Sequence, residues 1–274
     1  MSRIKKILLY GFLIAVLLTC LYPIIWMIMM SFKTTNEVFT NPFGLPKGIY
    51  IQNYVDAISR YNISRYFLNS LVVTSVTTFL VCAFSSLFAF AIARMKWKLQ
   101  GLAYIYVIIG MFIPVQIVLL PLSQIFSQLN LNNTLLSLII PYTAFGLPMG
   151  CVVFYAYFRG LQPEIEESAA LDGANICTVF FKIVLPLIKP AFAMVSIYTV
   201  ITAWNEFTMA LVLITKEELK TLPLGLIAFQ GKFATNYGAM GASLTIASVP
   251  TIVLYLLFSR QFENAISTSA AVKG

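Results

Sequence analysis

The chain has 274 residues, of which 59% are hydrophobic and only 10% charged, with 18 Lys and Arg against 10 Asp and Glu. Soluble domains carry roughly 45–50% apolar and about 25% charged residues, so this chain lacks the charge to cover a water-facing surface and reads as an integral membrane protein. The same scarcity excludes a disordered or nucleic-acid-coating protein, despite a formal net charge of +8, because both need dense charge.

The first apolar run, residues 7–32, follows Arg3, Lys5 and Lys6. It exceeds the roughly 7–15-residue core of a signal peptide and lacks a small-residue cleavage site, so it is expected to remain as a first span. Residues 33–66 form a polar segment rich in Asn, Gly and Pro, with Tyr50, Tyr54 and Tyr61 suited to a membrane interface. Further runs near the ~20 apolar residues that a span needs occupy 69–94, 102–126 and 135–158. The basic cluster Arg94, Lys96 and Lys98 follows the second, and a short loop at Asn130-Leu131-Asn132-Asn133 follows the third. A long stretch, 159–190, leads to a fifth run at 191–214; a segment at 216–240, less polar than a free loop, leads to a sixth at 242–259. Prolines 114, 121, 141, 148 and 250 are expected to kink these helices. Eleven of the 18 basic residues fall on the N-terminal side of this arrangement, so the positive-inside rule puts both termini in the cytoplasm. The last residues, from Ser267 to Gly274, are small and weakly charged, and fraying is expected there.

The chain has no histidine, and Cys20, Cys82, Cys151 and Cys177 are scattered without a CxxC spacing. Neither a metal site nor a disulfide framework is indicated. Glu206 is the only acid inside an apolar run, and an intramembrane acid is a functional candidate by default. It lies roughly 12 Å from the outer end of its run at ~1.5 Å per residue. With Trp204 and Asn205 it could line a translocation cavity; alternatively it holds helices together by hydrogen bonds. Gln116, between Pro114 and Pro121, is a further cavity candidate.

The stretch between the fourth and fifth runs has helical signals of its own. Gln162-Pro163-Glu164-Ile165-Glu166-Glu167 opens like a helix, with proline early and acids at the positive end of the dipole. Ser168, Ala169, Ala170 and Leu171 continue it, and Asp172-Gly173 stops it. A second run, 176–185, is expected to end at Pro186. Two short helices at an angle could enter a groove on a soluble partner, or form an ordinary solvated loop.

Glu167-Ser168-Ala169, three residues, Gly173, nine residues, then Ile183-Val184-Leu185-Pro186 resembles the EAA loop of binding-protein-dependent ABC importer permeases. The departure is Ser168 in place of the first alanine of Glu-Ala-Ala, a small-for-small change. Leu171-Asp172-Gly173-Ala174, Ile113-Pro114 with Gln116, Pro121-Leu122, Asn132-Asn133-Thr134 and Trp204-Asn205-Glu206-Phe207 are similar to the carbohydrate, maltose-type branch of that family. The resemblance implies an all-α membrane protein with six transmembrane helices, in the type I ABC importer permease fold with cytoplasmic coupling helices. Its parts would be a first span and external segment at 1–66, a core at 67–262 with the EAA loop at 163–190, and a cytoplasmic tail at 263–274. Coupling to the ATPase would fall to Glu167, Ser168, Ala169, Leu171, Asp172, Gly173, Ile183, Leu185 and Pro186.

The implied partners are a second, different permease, two ABC ATPase subunits, a solute-binding protein, a sugar and membrane lipid, with no nucleic acid. The chain contains no GxxxxGK[ST] phosphate loop, so ATP and Mg are expected on the ATPase subunits and no cofactor on this chain. In maltose-type systems the partner permease supplies most sugar contacts, and a comparable tail reaches between the ATPase subunits. The other readings are an ABC permease for a polyol, glycerol phosphate or polyamine, a channel, and an intramembrane enzyme. The last needs a paired catalytic set, which one isolated Glu206 without histidine does not provide.

Overall fold

The computed structural model describes residues 3–229 and 236–271. Every regular element among them is helical. In lipid no water is present to satisfy backbone groups, and a helix satisfies its own. In chain order the helices are α1 (Arg3–Ser31), α2 (Thr35–Thr40), α3 (Gln52–Ser59), α4 (Ile63–Arg94), α5 (Gln100–Gly110), α6 (Val115–Gln128) and α7 (Leu136–Gly160). Then follow α8 (Glu164–Leu171), α9 (Ile176–Leu187), α10 (Lys189–Trp204), α11 (Thr208–Leu213), α12 (Leu222–Gly225) and α13 (Tyr237–Ala271). Helices α1, α4 and α7 are long and apolar enough to cross a membrane, and five such spans result if each bent pair counts as one.

The expected third run is not one helix. Helices α5 and α6 meet at 97°, because Pro114 is extended at φ −70° and ψ 135° and has no N–H to carry the ladder forward. The fifth run is also divided: α10 stops at Trp204, Asn205 to Phe207 are non-helical, and α11 restarts at Thr208. Helices α9 and α10 are bent by 77° at Ile188. Helix α9 does not end before Pro186 as expected; a π-helical turn at Val179–Val184 leads into Leu185–Leu187. Proline at the start of that last piece gives up an N–H that a helix start leaves free anyway. The helices also run unbroken through Pro121, Pro141, Pro148 and Pro250. Of the five expected kinks, only Pro114 coincides with a break. Helix α13 covers the sixth run and continues to Ala271, so helix replaces the fraying expected from Ser267 onward. Residues 272–274 and 230–235 lie outside the described residues.

The chain divides into two compact units. One comprises residues 1–67 and 224–251, the other 68–223 and 252–274. In the first, carbonyls at and just beyond the end of α1 are taken up by the segment that follows. Asn53 Nδ2 donates to the carbonyls of Ser31 and Lys33 at 2.8 and 2.7 Å, and Tyr50 N–H to that of Phe32 at 3.0 Å. These bonds satisfy groups a helix end leaves orphaned. The Lys33 ammonium is fully buried. It donates to the carbonyls of Asn41 (2.7 Å), Gly44 (2.6 Å) and Pro42 (3.5 Å).

In the second unit, α4 and α7 approach through small residues. A Cβ on Gly146 would overlap Val81, and one on Gly150 would overlap Ser85. Membrane helices associate by such close packing, since lipid supplies no hydrophobic drive. Phe90, Phe154, Phe158 and Phe180 form the centre of the core, with Phe90 lying 5.0 Å from Phe180 and 5.5 Å from Phe158 between ring centroids. Phe180 belongs to α9, so the stretch between α7 and α10 is seated on the membrane core.

Candidate functional site

Helix α8 ends as the sequence leads one to expect. Gly173 has φ +83°, the left-handed region that glycine enters without a Cβ penalty. Ala174 N–H donates to the Ala169 carbonyl and Gly173 N–H to that of Ala170, both at 3.0 Å. This is the paired 6→1 and 5→2 closure that satisfies the last carbonyls of a helix. Asn175 then starts α9, its Oδ1 accepting the Thr178 N–H at 2.8 Å. That cap carries a sequence signal, an Asn just after the turn.

The expected coupling residues divide by face. Ala169 is buried in the core cluster, while Glu167, Ser168, Asp172, Gly173 and Pro186 are exposed, and Ile183 and Leu185 are half-buried. Ser168 is exposed, so its hydroxyl is not buried in the core of this chain. Leu171 is 90% exposed, four residues from Glu167 on the same outward face. Ile176 and Phe181 on α9 are also exposed.

Sequence reasoning missed what ties this segment to the long helices. Arg94, at the end of α4, pairs its Nε with Glu166 Oε1 at 2.8 Å, and its Nη2 donates to the Leu161 carbonyl at 2.8 Å. Burial pushes the Glu166 carboxyl pKa up, and Arg94 pulls it back down. Arg94 was legible as a topology signal, but nothing in the linear spacing pairs it with Glu166.

The second candidate region is the break between α10 and α11. Glu206 Oε1 accepts the Met209 N–H at 2.7 Å, Oε2 accepts the Ala210 N–H at 3.2 Å, and the Tyr142 hydroxyl donates to Oε2. The carboxylate thus satisfies N–H groups at the start of α11 and joins it to α7. Glu206 also faces a cleft of about 260 Å³ with Tyr198, Thr202 and Met111. Trp204 is 4% exposed and does not line that cleft. Asn205 is exposed, with its Nδ2 donating to the Ile201 carbonyl at 2.8 Å. Gln116 is exposed on the first turn of α6 and does not reach the cleft. Of the four polar candidates, the structure brings only Glu206 to this cleft. Tyr142, the partner that matters to it, carried no sequence signal.

An all-helical apolar chain with interrupted spans, and a firmly seated pair of short helices between two of them, has the build of a membrane permease subunit. Residues 83–268 match the family described as binding-protein-dependent transport system inner membrane component, and the chain belongs to that family of ABC transporter permeases. It is 36% identical over 263 residues, 96% of this chain and 87% of the relative, to the probable ABC transporter permease protein YurM of Bacillus subtilis. It is 32% identical to the trehalose/maltose transport system permease protein MalG of Thermococcus litoralis, covering 99% of this chain and 98% of that one. The diacetylchitobiose uptake system permease protein NgcG of Streptomyces coelicolor is 32% identical, covering 89% of this chain and 82% of the relative. A crystal structure of a bacterial ABC transporter that imports the acidic polysaccharide alginate matches with a TM-score of 0.81 at 23% identity, covering 95% of this chain and 98% of that one. That match shows the fold: the type I importer permease fold.

Proposed function

We propose that this permease carries a sugar or oligosaccharide. It pairs with a second, different permease, takes its cargo from a solute-binding protein, and is driven by two ABC ATPase subunits that hold ATP and Mg. Both termini and the α8–α9 segment lie on the cytoplasmic side, as the basic residues favour. The carbohydrate systems named among the relatives support the cargo class.

The observation that carries the coupling role is Leu171, left 90% exposed on a helix whose end is fixed by the Gly173 turn. With Ile176 and Phe181 also exposed on the adjoining α9, such a leucine suits a partner's cleft. Glu167, Ser168, Asp172, Gly173 and Pro186 are the other exposed coupling residues; Ala169, Ile183 and Leu185 set their seat. For the translocation path, Gln116 and Asn205 supply exposed amides, Trp204 is buried beside Asn205 in sequence, and Glu206 holds α11 in place.

Proteoliposome uptake with each component omitted in turn tests this reading. The chain alone is expected to show neither ATP hydrolysis nor sugar uptake. Both should appear with the second permease and the ATPase, and rise when liganded binding protein is added. Selective uptake by this chain alone would overturn the assignment.

A further inference from the structure

Helix α3 is inside out. Its buried positions are Asn53, Asp56 and Ala57, two of them polar, whereas Ile51, at its N-cap, and Val55 and Ile58 are 61%, 47% and 51% exposed. Spaced four and three residues apart, those three make one stripe along the helix. The loop before it repeats the pattern, with Phe43, Leu45 and Ile49 more exposed still. An element facing water places its polar residues outward and its large apolar ones inward.

The segment is held firmly in this arrangement. Besides the bonds to Lys33 and Asn53 described above, Asn41 Oδ1 accepts the Gly44 N–H and Asn41 Nδ2 donates to the Leu45 carbonyl, both at 3.0 Å. The two acids between residues 33 and 66 are engaged: Glu37 Oε1 accepts the Lys47 N–H at 2.7 Å, and Asp56 accepts from Gln52 Nε2 at 2.9 Å. Apart from the caged Lys33, the cations are outside, with Lys47 exposed and the Arg60 side chain 73% exposed while it touches Asp56 at 3.4 Å. The loop also folds back along the span, since Trp26 Nε1 donates to the Pro42 carbonyl at 2.8 Å. Trp26 precedes Ser31 by five residues, or roughly 7 Å at ~1.5 Å per residue. Phe43 therefore stands beside the last turns of α1, not beyond them.

We propose that residues 41–59 are a membrane foot. The apolar tip and the Ile51, Val55 and Ile58 stripe sit at the headgroup–acyl boundary of the leaflet at the Ser31 end of α1, with Lys47 and Arg60 meeting anionic phosphates. Charge complementarity selects this occupant: the acids are engaged within the segment while Lys47 and Arg60 fringe an apolar surface, the pattern that binds anionic lipid. Continuity with α1 selects it again, because the tip lies at the depth of a residue within the span. The foot is independent of which solute is carried.

Nitroxide labels on single cysteines at 43, 47, 51, 55 and 58 test it, with Cys20, Cys82, Cys151 and Cys177 replaced by alanine. The assembled transporter is reconstituted in phosphatidylethanolamine–phosphatidylglycerol vesicles. Oxygen is expected to collide more often than a water-soluble nickel chelate at 43, 51, 55 and 58, with the order reversed at 47 and no change on adding the solute-binding protein. Nickel access at the four apolar sites overturns the foot in favour of a solvated loop. Loss of access to both reagents overturns it in favour of a protein contact: the second permease if seen from the start, the binding protein if seen only after its addition. Should a label on the stripe block assembly, position 43 in the loop gives the same reading.

Discussion

Both oxygens of Glu206 are occupied by N–H groups at the start of α11, at 2.7 and 3.2 Å, and one also takes the Tyr142 hydroxyl. A charge-assisted bond of this kind contributes about 1.5–3 kcal/mol. Glu206→Ala is therefore expected to lower the melting temperature and yield of the purified complex while leaving the order of sugar preference unchanged, as competition uptake would show. A changed preference with normal stability would assign Glu206 to substrate instead. Gly173 offers a second case. A Cβ there would meet nothing within 4 Å, so a substitution costs only backbone strain, about 1–2 kcal/mol for a left-handed residue. Gly173→Leu should insert and assemble yet lose binding-protein-stimulated ATP hydrolysis, because α9 starts from a misplaced turn. Gly173→Asn, which tolerates that region, should retain most of it. The sequence made Gly173 legible because a glycine after a helical run has one common use. Glu206 was legible as exceptional, but its partners come from the backbone of the next turn and from a helix 64 residues away.

At the scale of elements, the Arg94–Glu166 pair is where α4 meets α8. A raised carboxyl pKa means the folded chain holds that proton more tightly than the unfolded one. The group's contribution to stability therefore falls as pH rises through the window above the ordinary Glu value of about 4.3. Arg94 limits that loss. Arg94→Met is expected to destabilise the complex by on the order of 1–3 kcal/mol at neutral pH, and by less at ~pH 5, where more of Glu166 is protonated. Melting curves at the two pH values check the sign, and Arg94→Met with Glu166→Gln should recover part of the loss. Apolar runs were legible because lipid demands about 20 such residues. The interruptions were not, because hydropathy is blind to backbone direction: proline 114 breaks its helix, whereas prolines 141 and 148 are carried inside α7.

For the whole molecule, the proposed orientation has the α8–α9 segment inside the cell and residues 33–66 outside. Cys177 is exposed and serves as a native reporter. A membrane-impermeant maleimide should label it only after the membrane is permeabilised, whereas Gly48→Cys should react in intact cells. Labelling of Cys177 in intact cells would reverse the orientation. The family was legible from the spacing Glu167 to Gly173 to Pro186, because a turn and the helix that follows it must keep a fixed separation. The inward turn of polar side chains on α3 was not, since composition alone makes that segment look hydrated.

The Lys33 cage has a consequence for biosynthesis. Its carbonyl partners, Asn41, Pro42 and Gly44, follow it by eight to eleven residues. At roughly 5–20 residues per second, they trail it by about half a second to two seconds. During that delay the nascent first span leaves the ribosome with a bare cation at its far end, opposing Arg3, Lys5 and Lys6 at the near one. Its orientation is thus decided by a three-to-one contest that the finished protein no longer displays.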